Sequence, residues 1–218
     1  MRKKFVEYTK QCNEEYKVMK KKIISCLMLV VIIAFSYFYA HIDKNSYIYN
    51  RNADTGLFYG TGILEENEKL TQTFIAKEDS INGINIKVVI SGNVENVVLH
   101  YALFDETLNT VCESSVYAGE LEHNKFNKLE LPEILETKGK QYTLVLSEEN
   151  SDEQNGIGFY IEPGRQDNQK LSIKENETDG TLVTRIICHR FDLETFIVLL
   201  GMITFVAVFM KILYKMCK

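Results

Sequence analysis

Two uncharged apolar runs lie near opposite ends of the 218-residue chain and constrain it more than any other feature. Residues 23–40 read IISCLMLVVIIAFSYFYA, and residues 195–210 read TFIVLLGMITFVAVFM. With a flanking residue or two, each has about the 17–25 residues a helix needs to cross the hydrocarbon core of a bilayer. Transmembrane helices are therefore predicted over residues 23–40 and 193–210, with the lipid bilayer as an expected partner. A cleaved signal peptide would carry a shorter apolar run ending in a small-x-small site. The first run ends instead in Tyr37, Phe38 and Tyr39, aromatics that suit the interface of a retained span. Neither run holds a charge, as a transport or proton path normally would, and neither holds a G-x-x-x-G pairing motif. Both read as anchors.

Charge sets the expected orientation. The tail over residues 1–22 carries Arg2, Lys3, Lys4, Lys10, Lys17, Lys20, Lys21 and Lys22, and the tail over 211–218 carries Lys211, Lys215 and Lys218. Basic flanks stay on the cytoplasmic side, so both termini are expected inside and residues 41–190 outside, in a cell-membrane protein. The middle holds 14 Lys/Arg against 25 Asp/Glu, a balance that argues against nucleic acid as a partner. The tail lysines suit anionic lipid headgroups. Of the cysteines, only Cys112 and Cys188 fall in the outer part. An oxidising compartment would permit a disulfide between them; the alternative is two thiols packed as small apolar residues. No CxxC and no Cys/His metal spacing occurs, and no cofactor is expected.

Residues 41–56 (HIDKNSYIYNRNADTG) are polar without sustained periodicity and read as a stalk. The outer domain is placed at 57–190, long enough to close its own core. Inside it, apolar residues recur with period two, the signature of strands. Strands are predicted over 70–76, 84–90, 97–104, 110–117, 126–131, 141–146, 158–161 and 181–189, with another within 57–64. Turn signals separate them: Asn82-Gly83, Ser91-Gly92-Asn93, Lys138-Gly139-Lys140 and Glu162-Pro163-Gly164. Many short strands without a long helical period predict a mainly β fold, an antiparallel β-sandwich flanked by the two helices. The polar stretches 147–155 and 166–180 read as solvated loops. Little chain separates the last strand from the second span, so the domain is expected to be tethered tightly at Arg190 and with slack at His41.

One stretch has a family likeness. Residues 70–76 (LTQTFIA), 81–84 (INGI), 103–105 (LFD), 119–121 (GEL) and 139–144 (GKQYTL) follow a pattern of a Q-T-F-x-A strand, a G-I strand, an L-x-D hairpin and a late G-K-x-Y strand. This resembles the small jelly-roll-like, carbohydrate-binding-module-like β-sandwich modules of bacterial membrane proteins tied to cell-surface polysaccharide. The resemblance spans residues 70–162. It implies that Phe74 and Ile84 point into the core, that Gly139 makes a turn, and that the domain binds carbohydrate. The Arg-containing turn that often follows the second strand of such modules is replaced here by Ser91-Gly92-Asn93.

Candidates for chemistry are sparse. Thr181-Leu182-Val183-Thr184 looks like the T-L-x-T run that precedes the sortase cysteine, but Arg185 occupies the nucleophile position. Cys188 lies three residues on and would face the other side of a strand. Carboxylates abound, yet sequence spacing cannot set the separation a glycosidase requires. His100 sits in a strand beside Tyr101, where packing is its expected role, and His189 abuts the second span. Sugars are commonly held by exposed aromatics, and there is no Trp; Tyr47 and Tyr49 are available, and Tyr59, Tyr117, Tyr160 and the turn residue His123 are taken as the ligand-binding candidates.

The expected function is thus non-catalytic: display of an outer β-sandwich that binds an envelope glycan or another membrane protein. The alternative is a polysaccharide chain-length regulator or co-polymerase, which shares the two-span layout. Such proteins carry long outer helices and a proline-rich second span, whereas the two prolines here, Pro132 and Pro163, lie far from it. A sortase-like or hydrolytic enzyme fits least.

Overall fold

The computed structural model describes residues 2–164 and 166–217. The chain forms two compact units, one of residues 1–42 with 191–218 and one of Asp43–Arg190.

The first unit is helical. Helix α1 covers Arg2–Tyr39 and α2 covers Leu193–Met216. Their stretches Tyr16–Tyr39 and Leu193–Met216 have mean hydropathies of 2.1 and 2.6, long and apolar enough to cross a membrane. Leu27, Val30, Phe205 and Met210 all lie exposed on them, so this apolar surface is not covered by the rest of the protein. The basic tail continues without a break into the first span. The Asp192 carboxylate caps α2 by accepting from the Thr195 N–H at 3.2 Å. Glu194 in the first turn and Lys215 in the last complement the helix dipole. Where the two chain segments meet, the Asp192 N–H donates to the Ala40 carbonyl at 2.8 Å and Tyr37 stacks on Phe191 at 5.4 Å.

The second unit is β. In chain order the strands are β1 (His41–Tyr47), β2 (Tyr59–Ile63), β3 (Lys69–Ile75), β4 (Ser80–Ser91), β5 (Val98–Asp105), β6 (Thr110–Tyr117), β7 (Phe126–Leu135), β8 (Gln141–Glu149), β9 (Gly156–Glu162), β10 (Lys170–Ile173), β11 (Asn176–Thr178), β12 (Thr181–Leu182) and β13 (Thr184–Phe191). They make two antiparallel sheets. A seven-stranded sheet runs β1-β13-β4-β9-β12, with β2 also on β9 and β7 also on β4; a six-stranded sheet runs β11-β10-β3-β8-β5-β6.

Alternation explains the core. On β3, Leu70, Gln72 and Phe74 are buried; on β5, Leu99, Tyr101 and Leu103; on β8, Tyr142, Leu144 and Leu146. Register places Leu144 between Gln72 and Leu103, so these residues form rows on one face of the six-stranded sheet. All but Gln72 share a single hydrophobic cluster with Ile84, Ile86, Leu129, Phe159 and Ile161 of the seven-stranded sheet. Inside it, Gln72 satisfies its amide across the two sheets: Nε2 donates to the Thr73 carbonyl at 2.9 Å, and Oε1 accepts from the Leu182 N–H at 2.9 Å.

Several expectations need correction. The stretch read as a stalk forms β1 over its first seven residues, paired with β13. Asn82-Gly83 is not a turn: it lies within β4, where the register against β7 shifts between Ile81 and Gly83. A Cβ on Gly83 would sit 3.0 Å from the Leu129 carbonyl oxygen, which accounts for glycine inside a strand. The polar stretch 166–180 contains the β10–β11 hairpin, turned by Lys174 and Glu175 at φ of 51° and 67°. The acidic stretch 147–155 begins inside β8, and its Glu148 is buried. No disulfide joins Cys112 and Cys188; both are free, buried thiols, one on β6 and one on β13, in different sheets.

Candidate ligand-binding face

The side of the six-stranded sheet turned away from the core is a shallow polar trough, produced by the same alternation. With Leu99, Tyr101 and Leu103 inward on β5, its Val98, His100, Ala102 and Phe104 face outward. Register sets His100 between Ser115 on β6 and Ser147 on β8, Ala102 between Glu113 and Val145, and Val98 between Tyr117 and Glu149. Ala102, Ser115 and Ser147 keep the floor low, while Lys69, Phe104, Glu113 and Tyr117 stand around it. Two adjoining depressions of about 440 and 880 Å³ share His100 and Ser115.

Its central polar contact is His100 Nε2 to Glu149 Oε2, 3.0 Å apart on exposed side chains. A pair this open to water adds roughly 0–1 kcal/mol to stability, so its geometry matters more than its energy: it presents a donor and acceptor side by side on a flat floor. The β5–β6 hairpin at one end is held by Asp105, whose carboxylate accepts from the Thr107 hydroxyl and from the Thr107 and Asn109 N–H groups. These bonds to the charged form, the Thr107 hydroxyl foremost, hold its pKa below the usual carboxylate range.

Of the four residues expected to bind ligand, only Tyr117 lies in this trough. Tyr160 is on β9 of the other sheet, its hydroxyl donating to Asn124 Oδ1 at 3.1 Å and its ring 4.5 Å from Lys87 Nζ. His123, next to Asn124 in sequence, accepts the Ile90 N–H on Nδ1 at 3.0 Å, so that nitrogen carries no proton. Tyr59 stands apart, donating to the Asp179 carbonyl at 3.3 Å; burial, then the Asp179 charge, raise its pKa. His100, Glu149 and Lys69 were not singled out as ligand candidates. The alternation of β5 could have placed His100 outward, and the β5–β6 hairpin brings Tyr117 near it, but no local signal brings Glu149 beside it.

Other chemistry is constrained. Cys188 is buried on the core side of β13, and burial pushes its thiol up to about 12, the reverse of what a thiolate nucleophile needs. Arg185 points to the other side, bonded to the Tyr49 hydroxyl at 3.4 Å. Among the described residues, no group of three or more His, Cys, Asp or Glu side chains is placed to hold a metal ion.

No protein-family model matches the chain, and no curated protein is similar to it.

Proposed function

We propose that this is a two-span membrane protein with both termini cytoplasmic, displaying an outer, jelly-roll-like β-sandwich whose six-stranded face binds a glycan of the cell envelope without catalysis. The observation that carries the reading is the trough on that face: small floor residues beneath an exposed tyrosine, with a His–carboxylate pair and serine hydroxyls in reach. A pyranose needs that combination, an aromatic for its apolar face and planar polar groups for its hydroxyls. The orientation is supported by the basic tails at both ends and the acidic middle. The likeness of residues 70–162 to carbohydrate-binding modules of envelope-polysaccharide proteins points the same way.

The test is a glycan array probed with the detergent-solubilised full chain and with Tyr117→Ala and His100→Ala variants. Binding to at least one glycan class, weakened about tenfold or more in both variants, supports the reading. A fold-competent wild-type protein that retains no glycan, or binding indifferent to both substitutions, overturns the site. Orientation is checked separately with a membrane-impermeant maleimide in whole cells. Cys217 should be labelled only after permeabilisation.

A further inference from the structure

The opposite sheet carries a second arrangement that the trough does not explain. Arg185 on β13 projects from the side of the seven-stranded sheet facing away from the core. Its guanidinium carbon lies 3.5 Å from the ring centroid of Phe126 and 4.9 Å from that of Tyr47. The guanidinium is therefore held by aromatic rings of β1 and β7. On the same outer face, Lys87 on β4 is in register with Phe126 and holds its ammonium 4.5 Å from the centre of the Tyr160 ring. Each contact fixes a cation by its attraction to a ring face while leaving hydrogen-bond donors directed elsewhere.

Those donors are largely unused. Arg185 has five N–H groups, and its hydrogen-bond acceptor among the described residues is the Tyr49 hydroxyl, at 3.4 Å from both Nε and Nη2. Neither Arg185 nor Lys87 has a carboxylate within ion-pair distance among the described residues. Nearby acids are already engaged: Glu130 with Lys128 at 3.6 Å, and Glu122 with Lys125. The buried Glu162 carboxylate accepts the Asn50 N–H at 2.8 Å. In a region with eleven more acidic than basic residues, two pre-oriented cations without counter-charges are a local exception to the surrounding field. Asn85, opposite Arg185 in register, spends its Nδ2 donor on Asn45 Oδ1 at 3.0 Å and leaves its own Oδ1 as an acceptor for a hydroxyl.

We propose that this face is a second binding site, in which Arg185 and Lys87 take the oxyanion, carboxylate or phosphate, of an acidic saccharide. A guanidinium fork matches either anion in bidentate fashion, and the ammonium supplies a second point charge. A saccharide is favoured over an acidic peptide because the cation-covered rings leave little apolar surface for peptide side chains, while the Asn85 Oδ1 can accept from a hydroxyl and both cations can donate to one. The acidic surroundings make the attraction short-ranged, within roughly the 10 Å screening distance of 0.1 M salt. Binding should weaken steeply with ionic strength.

The experiment uses the full chain in detergent, titrated by calorimetry with oligogalacturonate for the carboxylate, a mannose-6-phosphate oligosaccharide for the phosphate, neutral oligogalactan and oligoglutamate. The expected result is binding of one or both acidic saccharides, lost tenfold or more in Lys87→Gln and in Arg185→Gln, partly kept in Arg185→Lys, and unchanged in Tyr117→Ala. The last result separates this site from the trough, so failure of either leaves the other standing. Should Arg185→Gln lose its fold, Lys87→Gln carries the test, since the Lys87 side chain makes no hydrogen bond to lose among the described residues. No binding of either acidic saccharide, equal binding of the neutral one that Lys87→Gln also weakens, binding that survives both substitutions, or stronger binding of oligoglutamate would each overturn the proposal.

Discussion

The Ile157 N–H donates to Glu148 Oε2 at 2.9 Å, while the other carboxylate oxygen, Oε1, has no partner among the described residues. Glu148 lies opposite Leu99 in register on the core-facing side of β8, only 3 % exposed. Burial, with the Glu68 charge adding to it, pushes the carboxyl from an ordinary 4.5 up to about 8, against the opposing effect of the Ile157 N–H and the nearby Leu64 backbone. The folded protein therefore keeps a proton that the unfolded chain has released. This contribution to stability is complete below the unfolded value of 4.5 and declines as pH rises through about 8, at no more than roughly 1.4 kcal/mol per pH unit. Glutamine keeps the acceptor for Ile157 and removes the charge. Denaturation followed by circular dichroism in detergent should find Glu148→Gln more stable than wild type by about 2 kcal/mol at pH 8, and closely matched to it at pH 4.5. An equal difference at the two pH values would show that the proton is not held there.

Gln72 links the two sheets through the Leu182 N–H. Replacing it with leucine keeps the volume but leaves that buried donor without an acceptor. A loss of about 1–3 kcal/mol is expected, the desolvation cost of an unpaired N–H. Hydrogen exchange should locate the effect: the Leu182 amide loses protection before its neighbours in β13. Uniform loss of protection would contradict a local origin.

Phe74 is 1 % exposed and meets the Tyr142 ring at 6.1 Å between centroids. Phe74→Ala should cost about 3–5 kcal/mol, from lost burial and the cavity left behind. Phe74→Leu should recover more than half of that in the same denaturation measurement. Equal losses in both variants would mean that the site collapses around any smaller side chain.

Cys112 and Cys188 should behave as two protected thiols. Burial raises the pKa of Cys112 as well as that of Cys188. Mass spectrometry after maleimide treatment of the folded protein should find neither modified, and both modified after denaturation without any reductant. A requirement for reductant would reveal a bond that the fold keeps apart.

Much of the β architecture was readable because strands β3, β5 and β8 alternate inward and outward residues over seven or more positions. The strands that escaped notice are short or polar. HIDKNSY of β1 has no clean alternation, and the β10–β11 hairpin turns on Lys174-Glu175, residues that carry no turn signal although both adopt positive φ. Glu148 escaped for a different reason. Within SEENSDEQN it is one acid among several, and only its pairing with Leu99 turns it inward. The trough was hidden in the same way: Tyr117 comes near His100 through the β5–β6 hairpin, but Glu149 joins them only through the pairing of β5 with the more distant β8. The Arg185 stack is longer-range still, joining residues from β1, β7 and β13.

The pairing of β1 with β13 has a mechanical consequence. His189 Nδ1 lies 3.1 Å from Asp43 Oδ1, so the first and last residues of the β unit leave it side by side on neighbouring strands. Tension applied through those two ends would act across one ladder, opening its hydrogen bonds one after another like a zipper, instead of shearing them all together. Little force is needed for such peeling, which would start at Asp43 and His189 and reach Tyr47, the last residue of β1 and one wall of the cradle around Arg185, only at its end.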